Sequence, residues 1–249
     1  MFGQTSKESR PLLVSFSGID GAGKSTQIEL LRAHLCAAGF TVRQVAFWDD
    51  VAQLTHFRQF TSHACFGSEQ GVGTPEKPVN RRDKNVQSWY MTAVRLLLYF
   101  VDSISLSVAV AKMRRGGADV VIFDRYVYDE LANLPLRHPM IRAYVSGLLK
   151  LTPSPDIALV LDANPGQARE RKPEYPIDFL EKSRAAYLAL SELAREITMI
   201  APGEVSEVAE RVLQAASVKV SLREPQSAKP ALDEILALRE NSENAEAAE

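Results

Sequence analysis

The run Gly18-Ile19-Asp20-Gly21-Ala22-Gly23-Lys24-Ser25-Thr26 has the spacing Gly-x-x-x-x-Gly-Lys-[Ser/Thr]. Glycine lets the backbone enter conformations closed to other residues, so successive N–H groups can turn inward around phosphate oxygens. Lys24 adds a mobile positive charge, and the Ser25 hydroxyl suits Mg²⁺. The residues expected to hold phosphate are therefore Gly18, Gly21, Ala22, Gly23, Lys24, Ser25 and Thr26.

Three further features bear on the chemistry. Val120-Val121-Ile122-Phe123-Asp124 is an apolar run ending in a carboxylate. As a strand it would deliver Asp124 to the edge of a sheet, where it could ligate Mg²⁺ directly or through water; the alternative is an aspartate that caps the next helix. Arg125, beside it, offers a planar guanidinium that can grip a phosphate in two-pronged fashion, or pair with Asp124 or Asp129 to hold the turn. The basic cluster Arg169-Glu170-Arg171-Lys172 follows Asp162-Ala163-Asn164-Pro165. On a mobile segment its cations could stabilise charge on a phosphoryl group in transfer; otherwise it is a solvated face.

These residues need elements to place them. Leu12 to Phe16 reads as a strand leading into the phosphate loop. A helix from Lys24 to about Ala38 should bury Ile28, Leu30, Leu31 and Leu35, with Gly39 as its C-terminal cap. Thr41 to Phe47 reads as a second strand ending at Trp48-Asp49-Asp50. Val51 to His63 fits a short helix, and Cys65 to Arg82 a long loop, a functional lid or disordered. From Asp83 to about Arg115 the pattern is helical, with Trp89, Ala93, Leu96, Leu97, Phe100, Ile104, Val108 and Ala111 marking a face that packs on the sheet. Asp119–Phe123, Ile157–Leu161 and Ile197–Ile200 are further strands. Pro176 to Arg195 reads as a helix with Phe179, Leu180, Tyr187, Leu190 and Leu193 inward, and Val205 to Ala216 as a last one. Strands alternating with helices imply an α/β fold with a parallel sheet covered on both faces.

A chain of 249 residues with 46% hydrophobic content can bury a full core. One domain over residues 1–217 is expected, with a lid at about 169–176. Residues 218–249 read as a flexible acidic tail carrying one amphipathic segment, Ala231 to Leu238. A formal charge of −2 argues against a protein that coats nucleic acid or an anionic membrane. The two cysteines, Cys36 and Cys65, suggest neither a disulfide framework nor a zinc cluster, and Cys36 is expected in the core. With no signal-peptide pattern and no run near the ~18 apolar residues of a membrane span, a cytoplasmic protein is expected.

The segments Phe16 to Gln27, Phe123-Asp124-Arg125-Tyr126, Leu161-Asp162 with Pro165, and Phe179 to Leu188 resemble the thymidylate kinase family in order and approximate spacing, over about residues 12 to 215. The resemblance implies a P-loop NTPase three-layer sandwich with a five-stranded parallel sheet, and often a homodimer through the long helices. It implies that Lys24 and the loop amides hold the ATP phosphates and that Ser25 binds Mg²⁺. Asp20 would face the acceptor's sugar, Arg125 the acceptor phosphate, and Tyr99 would stack on the acceptor base. Arg171 would be the lid cation.

The sequence also departs from the family. Ser17 stands where an acidic residue is common, Trp48-Asp49-Asp50 where an acceptor-phosphate arginine is usual, and Asp102-Ser103 where an Asp/Asn-Arg pair is usual. Arg58, Arg81 or Arg82 are the candidates to replace the missing phosphate contact. The expected activity is transfer of the γ-phosphate of ATP, with Mg²⁺, to a nucleoside monophosphate or similar small phosphorylated acceptor, with Lys24, Arg125 and Arg171 catalytic. The alternatives are a kinase for a nucleoside or other hydroxyl compound, and a regulatory nucleotide-binding protein.

Overall fold

A computed structural model describes residues 10–51, 89–221 and 223, and the side chains of these except at positions 89–91. Its centre is β1 (Leu12–Ser17), in which every residue is buried. A strand apolar on both faces belongs in the middle of a parallel sheet. Around it the sheet runs β2 (Val42–Ala46), β3 (Val120–Asp124), β1, β4 (Ile157–Leu161), β5 (Ile197–Ile200), all neighbours parallel. The register pairs Phe16 with both Asp124 and Leu159, so three strands end together where β1 runs into the phosphate loop.

Helices cover both faces. α1 (Lys24–Ala37) packs against the last helix, α7 (Val205–Val220), on one side. On the other, α2 (Trp89–Met113) packs on α3 (Val127–Leu131) and α4 (Pro139–Leu151). There α5 (Pro165–Arg171) packs on α6 (Ile177–Leu193), and α6 on α3 and β5. The expected strands are all present within a residue or so of their bounds, and Gly39 ends α1 with φ 86° and its N–H on the Cys36 carbonyl at 3.0 Å. α3 and α4 have no counterpart in the sequence reading, and α7 runs past Ala216 to Val220.

Two aspartates lock the strand starts. Asp119 Oδ2 accepts from the Thr41 backbone N at 2.7 Å and its hydroxyl at 2.6 Å, and the Asp119 N–H returns a bond to Thr41 Oγ1 at 3.0 Å. Asp156 accepts from Leu13 N at 2.9 Å and from Arg10 Nη2 at 3.0 Å. With register held at this edge, the opposite edge is left to the loops.

Three expectations about burial are corrected. Leu30 and Cys36 of α1 are exposed, because its buried face is only Ile28, Leu31 and Leu35 with Lys24 and Gln27. The stripe of α2 assigned to the sheet faces outward: Leu97 is 65% exposed, Ile104 52% and Val108 51%, with Ala93, Phe100 and Ala111 also exposed and Leu96 half-buried. The face turned to the domain is instead Tyr99, Asp102, Ser103, Leu106, Val110 and Met113. α2 is apolar on both sides, so periodicity alone picked the wrong one. Thr92–Met113, with mean hydropathy 1.7, is also the one helix among the described residues long and apolar enough to cross a membrane. The side chain of Trp89, the 52–63 part of the expected short helix, the 65–82 loop, Arg58, Arg81, Arg82 and the tail from 224 lie outside the described residues.

Replacing Thr41 by Val removes the hydroxyl from a buried carboxylate that depends on it. The expected loss is roughly 1–3 kcal/mol of unfolding free energy, read from urea denaturation of the full chain.

Candidate active site

At the end of β1 the chain passes Gly18, Gly21 and Gly23 at φ of 135°, 83° and 87°. Conformation is only half of the reason for glycine here. A Cβ on Gly18 would lie 2.5 Å from the Leu161 carbonyl oxygen, and one on Gly21 only 2.2 Å from that of Ala168. The loop is pressed between the end of β4 and α5. Gly23 then caps α1 with no side-chain bond, and the first turn of α1 has no acidic residue. Its free N–H groups and positive dipole end are thus open to an anion. Ser25 and Thr26 are exposed on this turn, and Ala22 is buried.

Lys24 is buried, and its Nζ donates to the carbonyls of Gly18 at 2.8 Å and Ile19 at 2.9 Å. Burial, and after it the nearby charge of Arg125, lowers its pKa to about 8. The lysine is thus folded back over its own loop, held by neutral acceptors.

Arg125 follows β3 at φ 70°, alone in positive φ among the described non-glycine residues. Its N–H bonds the Phe16 carbonyl at 2.9 Å, which ties the turn to β1. Its Nη2 is paired with Asp20 Oδ1 of the phosphate loop, and its Nη1 with Asp129 Oδ1 at 3.1 Å. Burial opposes the guanidinium charge, but Asp129 and then Asp20 outweigh it and raise its pKa. Asp129, from α3, also accepts from Ser17 Oγ at 2.6 Å, Tyr126 N at 3.1 Å and Tyr187 OH at 2.8 Å. Tyr187 comes from α6; burial and then Asp129 hold its hydroxyl well above its ordinary pKa.

The far flank of the loop is α5. Asn164 caps it, accepting from Gly166 N at 2.9 Å and Gln167 N at 3.4 Å. Its last residue, Arg171, reaches back so that Nη1 donates to the Gly21 carbonyl at 3.2 Å. Past it, Lys172 and Glu174 pair at 3.4 Å and Tyr175 stacks on Phe179, with ring centroids 5.0 Å apart. Asp162, at the end of β4, receives Arg184 of α6 by two bonds of 2.6 and 2.7 Å.

Of the sequence-derived candidates, the fold gathers Asp20, Lys24, Arg125 and Arg171 around one loop. Asp124 ends β3 half-buried and does not cap α3, whose N-cap is Tyr126. Tyr99 is buried on the inner face of α2. What sequence reading missed is the set Ser17, Asp129 and Tyr187. The one available signal was the four-residue spacing of Arg125 and Asp129, which suggested a turn-holding pair and nothing more. No group of three or more His, Cys, Asp or Glu residues that could hold a metal occurs among the described residues. An ion at this site would instead rest on Ser25, Asp124 and the phosphates themselves, which agrees with the preference of Mg²⁺ for one or two protein oxygens.

No family model matches the chain. It is 25% identical over 217 residues to a probable thymidylate kinase of Methanosphaera stadtmanae, covering 84% of this chain and 98% of that protein. It is 27% identical over 201 residues to a thymidylate kinase of Bifidobacterium longum, covering 72% and 84%. Among solved structures it resembles the thymidylate kinase of Candida albicans, with TM-score 0.55, 17% identity, and 84% and 92% of the two chains covered. That of Ehrlichia chaffeensis gives a TM-score of 0.51 at 15% identity, with 84% and 100% covered. The resemblance to thymidylate kinases thus holds over most of the chain, and the α/β fold with its five-stranded parallel sheet is like that of these structures.

The lowered pKa of Lys24 has a direction that can be tested. Below about pH 8 the side chain is charged in the folded protein, and above it the charge is lost while an unfolded lysine would keep it. Binding of a triphosphate should therefore weaken as pH rises through 8, read by calorimetric titration with ATP, and Lys24→Arg should remove that dependence.

Proposed function

We propose that this protein is an ATP- and Mg²⁺-dependent kinase that transfers the γ-phosphoryl group to a nucleoside monophosphate, thymidylate or a close relative, in the cytoplasm. The observation that carries the reading is the bond between Arg125 and Asp20. It sets a guanidinium suited to an acceptor phosphate directly against the loop suited to the donor phosphates, at neighbouring strand ends. The names of the relatives and the extent of the likeness to them support the same activity.

In this reading the loop N–H groups, the α1 dipole and Lys24 hold the β- and γ-phosphates. Lys24 must leave the Gly18 and Ile19 carbonyls to do so. The incoming acceptor phosphate takes the Nη2 edge of Arg125 from Asp20, and the Asp20 carboxylate in turn accepts from a sugar hydroxyl. Tyr99 is the proposed stacking partner of the base. Arg171, already over Gly21, supplies positive charge as the acceptor oxygen bonds to the γ-phosphorus and the bond to the β-phosphate oxygen breaks. Ser25 and Asp124 offer the hard oxygen donors Mg²⁺ takes, and the ion would neutralise charge between the β- and γ-phosphates when bound. Catalysis is then positioning and charge neutralisation, with no covalent intermediate.

The same reading assigns the outward stripe of α2, Val94, Leu97, Phe100, Ile104 and Val108, to a second copy of the chain. The stripe carries no charge, and the same helix of a two-fold related copy would cover it with an identical apolar surface.

Two outcomes are expected. A coupled ADP-release screen across nucleoside monophosphates, nucleosides and phosphosugars should find turnover with the monophosphates, and Lys24→Ala should lower kcat/KM by about 100-fold or more. Turnover that survives Lys24→Ala would sink the site assignment, and preference for a nucleoside would move the acceptor class. In sedimentation, the wild type should behave as a dimer and Leu97→Glu as a monomer.

A further inference from the structure

We propose that Asp129 is the positioning residue of this site, the fixed anchor that holds the Arg125 guanidinium in place while the acceptor phosphate displaces Asp20; this rests on the kinase reading above. Arg125 lies between two carboxylates that differ in kind. Asp20 is on the phosphate loop with its side chain 16% exposed, and Asp129 is on α3 with its side chain 1% exposed. A partner at the surface of the site can be exchanged for a ligand; one inside it cannot.

The bonding of Asp129 makes the distinction sharper. Its Oδ1 accepts from Arg125 Nη1 and Tyr187 OH, and its Oδ2 from Ser17 Oγ and Tyr126 N. These donors come from the end of β1, the turn after β3, and α6. A buried carboxylate is tolerated when its acceptor sites are filled, and one tied to three separate elements cannot follow a moving partner. Its Oδ1, held in place by these other bonds, therefore fixes the Nη1 side of the guanidinium, while the Nη2 side points to the loop and to the replaceable Asp20. Ser17 makes room for this: a residue with a small hydroxyl before Gly18 donates a 2.6 Å bond to the carboxylate that α3 supplies.

Without Asp129, an acceptor phosphate would still meet a positive charge, but one free to swing. The loss should fall on acceptor binding more than on the donor side, since Lys24 and the loop N–H groups make no hydrogen bond to Asp129 and Lys24 feels only its charge. Asp129→Asn keeps the shape and one acceptor oxygen. It should raise the KM for the nucleoside monophosphate about tenfold, with kcat and the KM for ATP changing less than about threefold. Tyr187→Phe, which removes a single donor and keeps the ring, should move the same constants in the same direction by a smaller factor.

The second readout needs no turnover. In the full chain, the ¹⁵N-detected Arg125 guanidinium signals should show restricted rotation in the wild type and in Asp20→Asn, and faster rotation in Asp129→Asn. Arg125 rotation unaffected by Asp129→Asn, or an acceptor KM unchanged, overturns the inference. So does a matched rise in both KM values with a fall in Tm, which would mark a purely structural residue. Absence of phosphoryl transfer by the wild type to every acceptor would instead overturn the kinase reading, and the rotation data would still decide whether Asp129 anchors Arg125.

Discussion

The close approach of the phosphate loop to its neighbours governs the arrangement of this molecule. Gly18 lies so near Leu161, and Gly21 so near Ala168, that no side chain fits at either position. The loop is therefore shaped from outside as much as by its own glycines. β1 must be flanked by β4 at one register, and α5 must begin just after Asn164, or the loop loses its support. The same contact places Arg171 over the loop, so a residue on a peripheral helix is positioned by packing at the centre.

On the opposite flank the governing interaction is electrostatic. Lys24, Asp20, Arg125 and Asp129 form a compact set in which each charge answers another, and the set is neutral as a whole. Arg125 raises the cost of charging Lys24, while Asp20 and Asp129 oppose that effect. A site for two polyanionic substrates needs positive charge, yet isolated buried cations are costly. Pairing Arg125 with one carboxylate that can be displaced, Asp20, and one that cannot, Asp129, while Lys24 rests on neutral carbonyls, satisfies both requirements.

Much of this was legible in the sequence, and the reasons for the exceptions are physical. β1, β3 and β4 were readable because apolar runs ended at glycine or aspartate, and the phosphate loop because its spelling follows from its geometry. Helix faces were harder. α2 carries apolar residues on both sides, so the 3.6-residue period of Leu97, Phe100, Ile104 and Val108 was real but marked the outer surface. In α1 the inner face includes the polar Lys24 and Gln27, while Leu30 and Cys36, counted with the apolar stripe, lie outside it. Around the loop, the residues that spelling marks were named from the sequence, and those that only convergence brings together were not. Ser17, Asp129 and Tyr187 lie on three elements, and no local pattern announces that they meet.

The folded-back Lys24 has a consequence for turnover. Because its ammonium already satisfies two loop carbonyls, the loop carries its own internal cation. Nucleotide entry is an exchange of partners, and the net gain is the difference between two sets of bonds. Under the proposed function the exchange would run equally in reverse, the lysine returning to Gly18 and Ile19 and taking up the contacts left behind. A loop built this way would grip a phosphate less tightly than its count of donors suggests, because each bond gained is offset by one given up.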